Sequence, residues 1–223
     1  MDRRKKAFLS IFLFLLVSMY PTILTSLGIT VPVINPSSVT LFSAVFQLVV
    51  EIVVTGVIVF IYRDELDDIF YRFKNEKGKM IKKIFACWGI AFLAYFIVNS
   101  IVISIFNVDM PNNILQQRLL DAAPIYLVIS MLFATPIMEE FVFRKAIRDI
   151  VDNKWVYIIV SSLLYGAFYV ILSFTNNLQL LFIISNSLFG AVLAYSYDKT
   201  DNILVPMAIH ILQNILFIVL NIL

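Results

Sequence analysis

The sequence predicts an all-α polytopic membrane protein, a transmembrane bundle of about seven helices with its N-terminus in the cytoplasm. Three observations carry that reading. Hydrophobic residues make up 61% of the 223, with a mean hydropathy of +0.93, whereas a soluble domain is about 45–50% apolar. Apolar runs of the roughly 20 residues needed to cross the hydrocarbon core recur along the chain. Of the 17 Lys and Arg, all but Arg118 fall in alternate connectors, so the positive-inside rule assigns those connectors to the cytoplasm.

The expected spans are residues 7–27, 40–62, 84–106, 123–143, 155–174, 178–195 and 203–222. The first follows Arg3, Arg4, Lys5 and Lys6, a start like that of a signal peptide. No small-x-small cleavage site follows it, so it reads as a retained helix. The inner segments then hold Arg3 to Lys6, the seven bases from Arg63 to Lys83, and Arg144, Lys145, Arg148, Lys154 and Lys199. The C-terminus is left outside. Tyr62, Trp155 and Tyr195 stand at the expected inner boundaries, as interfacial aromatics do.

The 63–83 connector sets Asp64, Glu65, Asp67 and Asp68 before a basic second half with Ile69, Phe70 and Phe73 among them. It suits either an amphipathic helix on the inner leaflet or a solvated connector. The outer connector 107–122, with Pro111, Asn112 and Asn113, suits an interfacial helix over the bundle. Ser162 with Gly166, and Gly190 with Ala194, are small-residue pairs that let the fifth and sixth spans approach neighbours closely. No Pro/Gly/Ser-rich linker divides the chain, which reads as one membrane domain, 1–223. Its partners are the bilayer and, beyond that, a membrane-associated peptide or protein, with no nucleic acid. The Ile, Phe, Asn and Lys richness suggests a bacterial plasma membrane.

One cysteine, Cys87, rules out a disulfide or a Cys-based zinc site within the chain. One histidine, His210, rules out a mechanism needing two imidazoles. Polar groups inside the expected spans therefore stand out. An ionisable residue at mid-membrane costs roughly 2.5–3.5 kcal/mol on insertion scales and marks a functional site by default. Glu139 and Glu140 follow Pro136 near the inner end of the fourth span, and Arg144 lies four residues beyond Glu140 on the same helical face. Pro136 frees a backbone carbonyl and opens room for water. Two carboxylates and a guanidinium there suit a general base for water, Glu139, beside a second acid held by Arg144. A structural ion pair at the membrane edge reads equally well from this motif alone.

In the seventh span His210 and Asn214 are one turn apart on one face, at a depth matching Glu139. Together they suit an oxyanion donor pair. Gln47 and Glu51, one turn apart in the second span, suit either an interhelical latch or the wall of the same cavity. Asn99 and Asn186 suit interhelical hydrogen bonds.

These residues resemble the CAAX-protease and bacteriocin-processing family (CPBP or Abi) of intramembrane endopeptidases. Glu139, Glu140 and Arg144 match its Glu-Glu-x-x-x-Arg motif, and His210 with Asn214 matches its His-x-x-x-Asn motif. The run from Leu188 through Gly190, Tyr195 and Pro206 to His210 adds to the likeness. The resemblance implies a catalytic core over 120–222, with Glu139 as base and His210 and Asn214 as oxyanion donors. It implies a bacteriocin or pheromone precursor, or a lipidated CAAX-like C-terminus, as substrate.

The family's Phe-x-x-x-His motif is met here by Tyr165 and Tyr169, so Tyr169 stands where the family has an imidazole. A phenol, with an ordinary pKa near 10, is a poor base at neutral pH. That replacement keeps a second class open: an inactive relative, a scaffold or immunity protein acting on a membrane partner. A transporter lacks the inverted repeat it would need. With one His and two Glu the ligand set for a catalytic zinc is thin, so neither metal nor cofactor is expected.

Overall fold

In the computed structural model, residues 1–28, 34, 40–111 and 113–222 are described; Asn112 of the outer connector lies outside them. Among them every regular element is helical. They are α1 (Arg3–Ser26), α2 (Leu41–Ile61), α3 (Arg63–Asn75), α4 (Lys77–Phe106), α5 (Asn113–Ala122), α6 (Pro124–Ile150) and α7 (Lys154–Ile171). A short 3₁₀ turn (Asn177–Leu181) then leads into α8 (Phe182–Thr200), and α9 (Leu204–Ile222) closes the chain. Among the described residues, six helical stretches are long and apolar enough to cross a membrane: α2, α4, α6, α7, the turn with α8, and α9. The expected first span falls on α1.

The outer faces of these helices are apolar. Phe42 and Ile125 are 70% and 75% exposed, a surface that water would penalise and acyl chains accept. Helix ends are fixed by local chemistry. Thr40 and Ser43 form a reciprocal capping box at α2, and the Asn153 side chain accepts from the Trp155 and Val156 N–H groups at α7. Both connectors that suited a helix contain one, α3 and α5. Trp155 and Tyr195 are exposed as expected of boundary aromatics. Tyr62 is not: it is buried, stacked on Phe141 at 5.2 Å, with Lys6 and Lys145 over its ring at 5.6 and 5.4 Å. Its place at a span end hid the fact that the inner-side cations fold back over it.

The small-residue pairs join α7 to α8. A Cβ on Gly166 would stand 2.2 Å from Ser187 Oγ and 2.7 Å from the Ile183 carbonyl; one on Gly190 would stand 3.1–3.3 Å from Tyr165 and Ser162. Only the absence of side chains lets these backbones meet. Asn186 donates to Phe182 O within its own helix, and Asn99 Oδ1 is buried with no hydrogen-bond partner among the described residues. Among the described residues neither makes the expected bond across helices.

On the basic side an ionic chain ties three elements together. Arg3 of α1 and Lys145 of α6 both bond Asp149. Lys145 also pairs with Glu65 of α3 at 2.8 Å, and Glu65 with Lys6 at 3.1 Å. Asn202 donates to Ile69 O at 2.8 Å, locking α3 under the turn between α8 and α9. The Lys6 ammonium beside Asp64 holds that exposed carboxyl below the usual carboxylate range. Burial acts to raise Glu65, and the Lys145 and Lys6 ammoniums outweigh it, so its pKa is lowered as well.

Candidate functional site

The site grows from an irregularity in α6. Two stretches of this helix, Ser130–Ala134 and Glu140–Ala146, are wound as π-helix, with the α-helical segment Thr135–Glu139 between them. Such widened turns recur at functional sites. In the first, the Thr135 N–H donates to Ser130 O, five residues back. The next bond in that register would run from residue 136 to Met131 O, but Pro136 has no N–H. The orphaned Met131 carbonyl accepts instead from Asn214 Nδ2, at 2.7 Å. A proline thus prepares on one helix the acceptor that fixes an amide on another.

The second π stretch is buried along its whole length and begins at the acid pair. Glu140 is fully buried and bridges two cations or donors: Oε1 lies 2.9 Å from His210 Nδ1, and Oε2 lies 3.0 Å from Arg144 Nε. The Arg144 contact is ionic, since none of its N–H groups is aimed at a hydrogen-bond acceptor among the described residues. The guanidinium lies instead over the Tyr165 ring, 4.5 Å from its centroid, where the negative face of the aromatic favours a cation. Arg144 was expected at the inner surface with the other bases; it is wholly buried, because its partner and its ring both lie inside.

Glu139 faces elsewhere, as its offset of one residue implies. Both its oxygens accept from the Tyr169 hydroxyl, at 3.1 and 2.9 Å. Tyr169 sits deeper in its span than Glu139 does when counted from the inner side, yet the two meet directly. The residue His210 pairs with is Glu140, not Glu139. The His210 ring is held edge-on by Tyr165 and Phe189, each at 6.1 Å. With Nδ1 engaged by Glu140, Nε2 is the imidazole nitrogen left for chemistry.

Tyr169, His210 and Asn214 border one cavity of about 390 Å³. Glu139, Glu140 and Arg144 are not among its lining; the acids contact it only by way of Tyr169 and His210, to which they are hydrogen-bonded. Glu51 also lines it and serves as a latch at the same time. It accepts from Gln47 Nε2 at 3.0 Å, from Tyr126 at 2.9 Å and from Ser130 at 2.6 Å, joining α2 to α6. Tyr20 extends the chain to Gln47, and Thr135 shares the Ser130 hydroxyl. Sequence reasoning singled out Gln47 and Glu51 but passed over Tyr126 and Ser130, whose spacing of one turn was the available signal. Pro136 pointed to a freed carbonyl, but not that the π register makes it the one of Met131. Among the described residues no group of three or more His, Cys, Asp or Glu is placed to hold a metal ion.

Residues 121–216 match a family model described as type II CAAX prenyl endopeptidase Rce1-like. No curated protein and no solved structure matches the chain. The match covers under half of the 223 residues, and it contains both acids, Arg144, Tyr169, His210 and Asn214. The chain is thus an all-α, membrane-type bundle carrying a CAAX-protease-like domain over residues 121–216.

Proposed function

We propose that the chain is an intramembrane endopeptidase of the CAAX-protease and bacteriocin-processing kind. Its substrate would be an amide bond in a membrane-associated or lipidated peptide. One arrangement supports this reading: two adjacent carboxylates each engage a different group bordering a single cavity, Glu139 engaging Tyr169 and Glu140 engaging His210.

In this mechanism Glu139 is the final proton acceptor and the Tyr169 hydroxyl lies between it and a water in the cavity. As the water oxygen bonds to the scissile carbonyl carbon, its proton passes to the Tyr169 oxygen while the phenol's own proton passes to Glu139. The phenol acts as a relay and never has to be a free base, which answers the objection raised by its ordinary pKa. General acid–base help of this kind is typically worth about 10²–10⁴-fold. The carbonyl electron pair moves onto oxygen, and the resulting oxyanion is met by His210 Nε2–H and the second N–H of Asn214. As an imidazolium, His210 donates from both nitrogens, Nδ1 to Glu140 and Nε2 to the oxyanion. Each such donor is worth about 10²–10³ in rate. Collapse of the intermediate breaks the C–N bond. The proton on Glu139 returns through Tyr169 to the leaving amine, and the acid is again a carboxylate.

The same reading takes 1–223 as one membrane domain with 120–222 as its catalytic core. It has seven spans, the N-terminus inside and the C-terminus outside a bacterial plasma membrane. Hydrolysis in heavy-oxygen water tests it: purified protein in proteoliposomes should place one heavy oxygen in the new carboxylate of a quenched membrane peptide.

A second reading is favoured by one observation, that Tyr169 covers both Glu139 oxygens. In it the cavity binds a membrane partner without cleaving it, as a scaffold or immunity protein would. Under that reading the peptide stays intact and Tyr169→His leaves the background unchanged; under the first, Tyr169→His raises turnover.

A further inference from the structure

We propose that the cavity is entered from the side of the membrane opposite the basic connectors. The segment it takes is then an uncharged, extracytoplasmic stretch of a membrane-anchored peptide, not a cytosolic C-terminus. That the segment is cleaved rests on the endopeptidase reading; the direction of entry does not.

Four successive helices of alternating direction supply most of the cavity wall, beside Glu51 of α2 and Tyr95 of α4, and each of the four does so with the part remote from its basic end. α6 gives residues between 126 and 135, while its bases are Arg144, Lys145 and Arg148. α7 starts at Lys154 and gives residues 165–170. α8 gives residues 182–189 and carries Lys199 in its last turn. α9, which starts just beyond that turn, gives residues 210–217. Chain direction reverses from each helix to the next, so no accident of numbering puts all four contributions on one side. The rim there is the 107–122 connector: Met110 and Pro111, with Leu115, Gln116 and Leu119 of α5. Leu115 and Gln116 are partly exposed.

On the basic side a second hollow, lined by Arg3, Lys6, Glu65, Arg72 and Lys145, shares no lining residue with this cavity. Below the cavity lies a layer in which Glu140, Arg144, Tyr157, Leu193 and Val205 are all fully buried. Beneath that layer the chain of ion pairs from Arg3 through Asp149, Lys145 and Glu65 to Lys6 ties α1, α3 and α6 together. Because bases concentrate on the cytoplasmic side, the rim faces the exterior.

The lining also limits what enters. Among the described lining residues there is no Lys or Arg, and the one acid, Glu51, has both oxygens engaged by Gln47, Tyr126 and Ser130. A free terminal carboxylate would find no Lys or Arg there, and His210, the one basic side chain of the lining, already has Nδ1 engaged by Glu140. An apolar stretch of main chain would find Phe182, Phe189 and Phe217 beside it.

Access can be read without any hydrolysis. Cys87 is the sole cysteine, so Cys87→Ser gives a background into which Gln116→Cys, and separately Leu115→Cys, are placed at the rim. Lys74→Cys, exposed on α3, marks the basic side. A membrane-impermeant maleimide added to intact cells should modify the rim cysteines and leave Lys74→Cys unlabelled, and inverted vesicles should reverse the pattern. Rim cysteines reached only in inverted vesicles, or labelled from the same side as Lys74→Cys, would overturn the inference. A protein that cleaves nothing still gives this labelling result, so losing the protease reading and losing this inference are separate events.

Discussion

The Tyr169 hydroxyl donates to the Glu139 carboxylate at 2.9 Å, so the acid best placed to accept a proton reaches the cavity only through a phenol. Substituting Tyr169→Phe keeps the ring and removes the relay. Turnover of a fluorogenic membrane peptide should fall by about 10²–10⁴, with the melting temperature in detergent little changed. Tyr169→His, which supplies a base of ordinary pKa near 6.5, should raise turnover above the wild-type rate.

Glu140, Arg144 and His210 form a buried cluster in which Glu140 is the partner of both others. Glu140→Gln or Arg144→Ala strands a partner, and breaking a buried pair from one side costs about 3–5 kcal/mol. Thermal unfolding in detergent should show that loss for both variants. Melting temperatures equal to wild type would mean that the pair is hydrated.

Asn214 and Pro136 are coupled through Met131. Asn214→Leu leaves the Met131 carbonyl unpaired and should cost about 1–3 kcal/mol. Adding Pro136→Ala supplies the backbone N–H that the π register lacks, and that N–H can take the carbonyl. The double variant should therefore be more stable than Asn214→Leu alone, with a coupling of about 0.5–3 kcal/mol in a double-mutant cycle. Additive effects would refute the account of the π turn.

The basic side should loosen in acid. Asp64 and Glu65 have folded pKa values below their ordinary ones. Their contribution to stability is present above the unfolded carboxylate range and is lost as pH falls through the lowered folded values. Melting temperature should drop on going below about pH 4, and it should drop less in Lys6→Met, where the cation that lowers both carboxyls is gone.

The sequence carried the bundle because lipid enforces a simple rule: every span must be long and apolar, and every base must stay on its side. It marked Glu139, Glu140, His210 and Asn214 as candidates because charges and amides are costly at that depth. What it did not carry was pairing. That His210 meets Glu140, and that Tyr169 reaches Glu139, depends on a π-wound α6 that turns consecutive residues by less than an α-helix would. No residue pattern in that run announces the winding, although Pro136 hinted at a freed carbonyl. Tyr62 and Arg144 were misplaced for a related reason. Position at a span end says nothing about which neighbours fold over it.

The role of Glu139 as final acceptor, taking the phenol's proton as Tyr169 takes one from water, is tested most directly by one substitution. Glu139→Gln keeps the size of the side chain and its place beside Tyr169, and removes only its capacity to accept a proton. Hydrolysis of a quenched membrane peptide in proteoliposomes should disappear while the melting temperature stays near that of wild type. Full turnover by a folded Glu139→Gln protein would contradict the account.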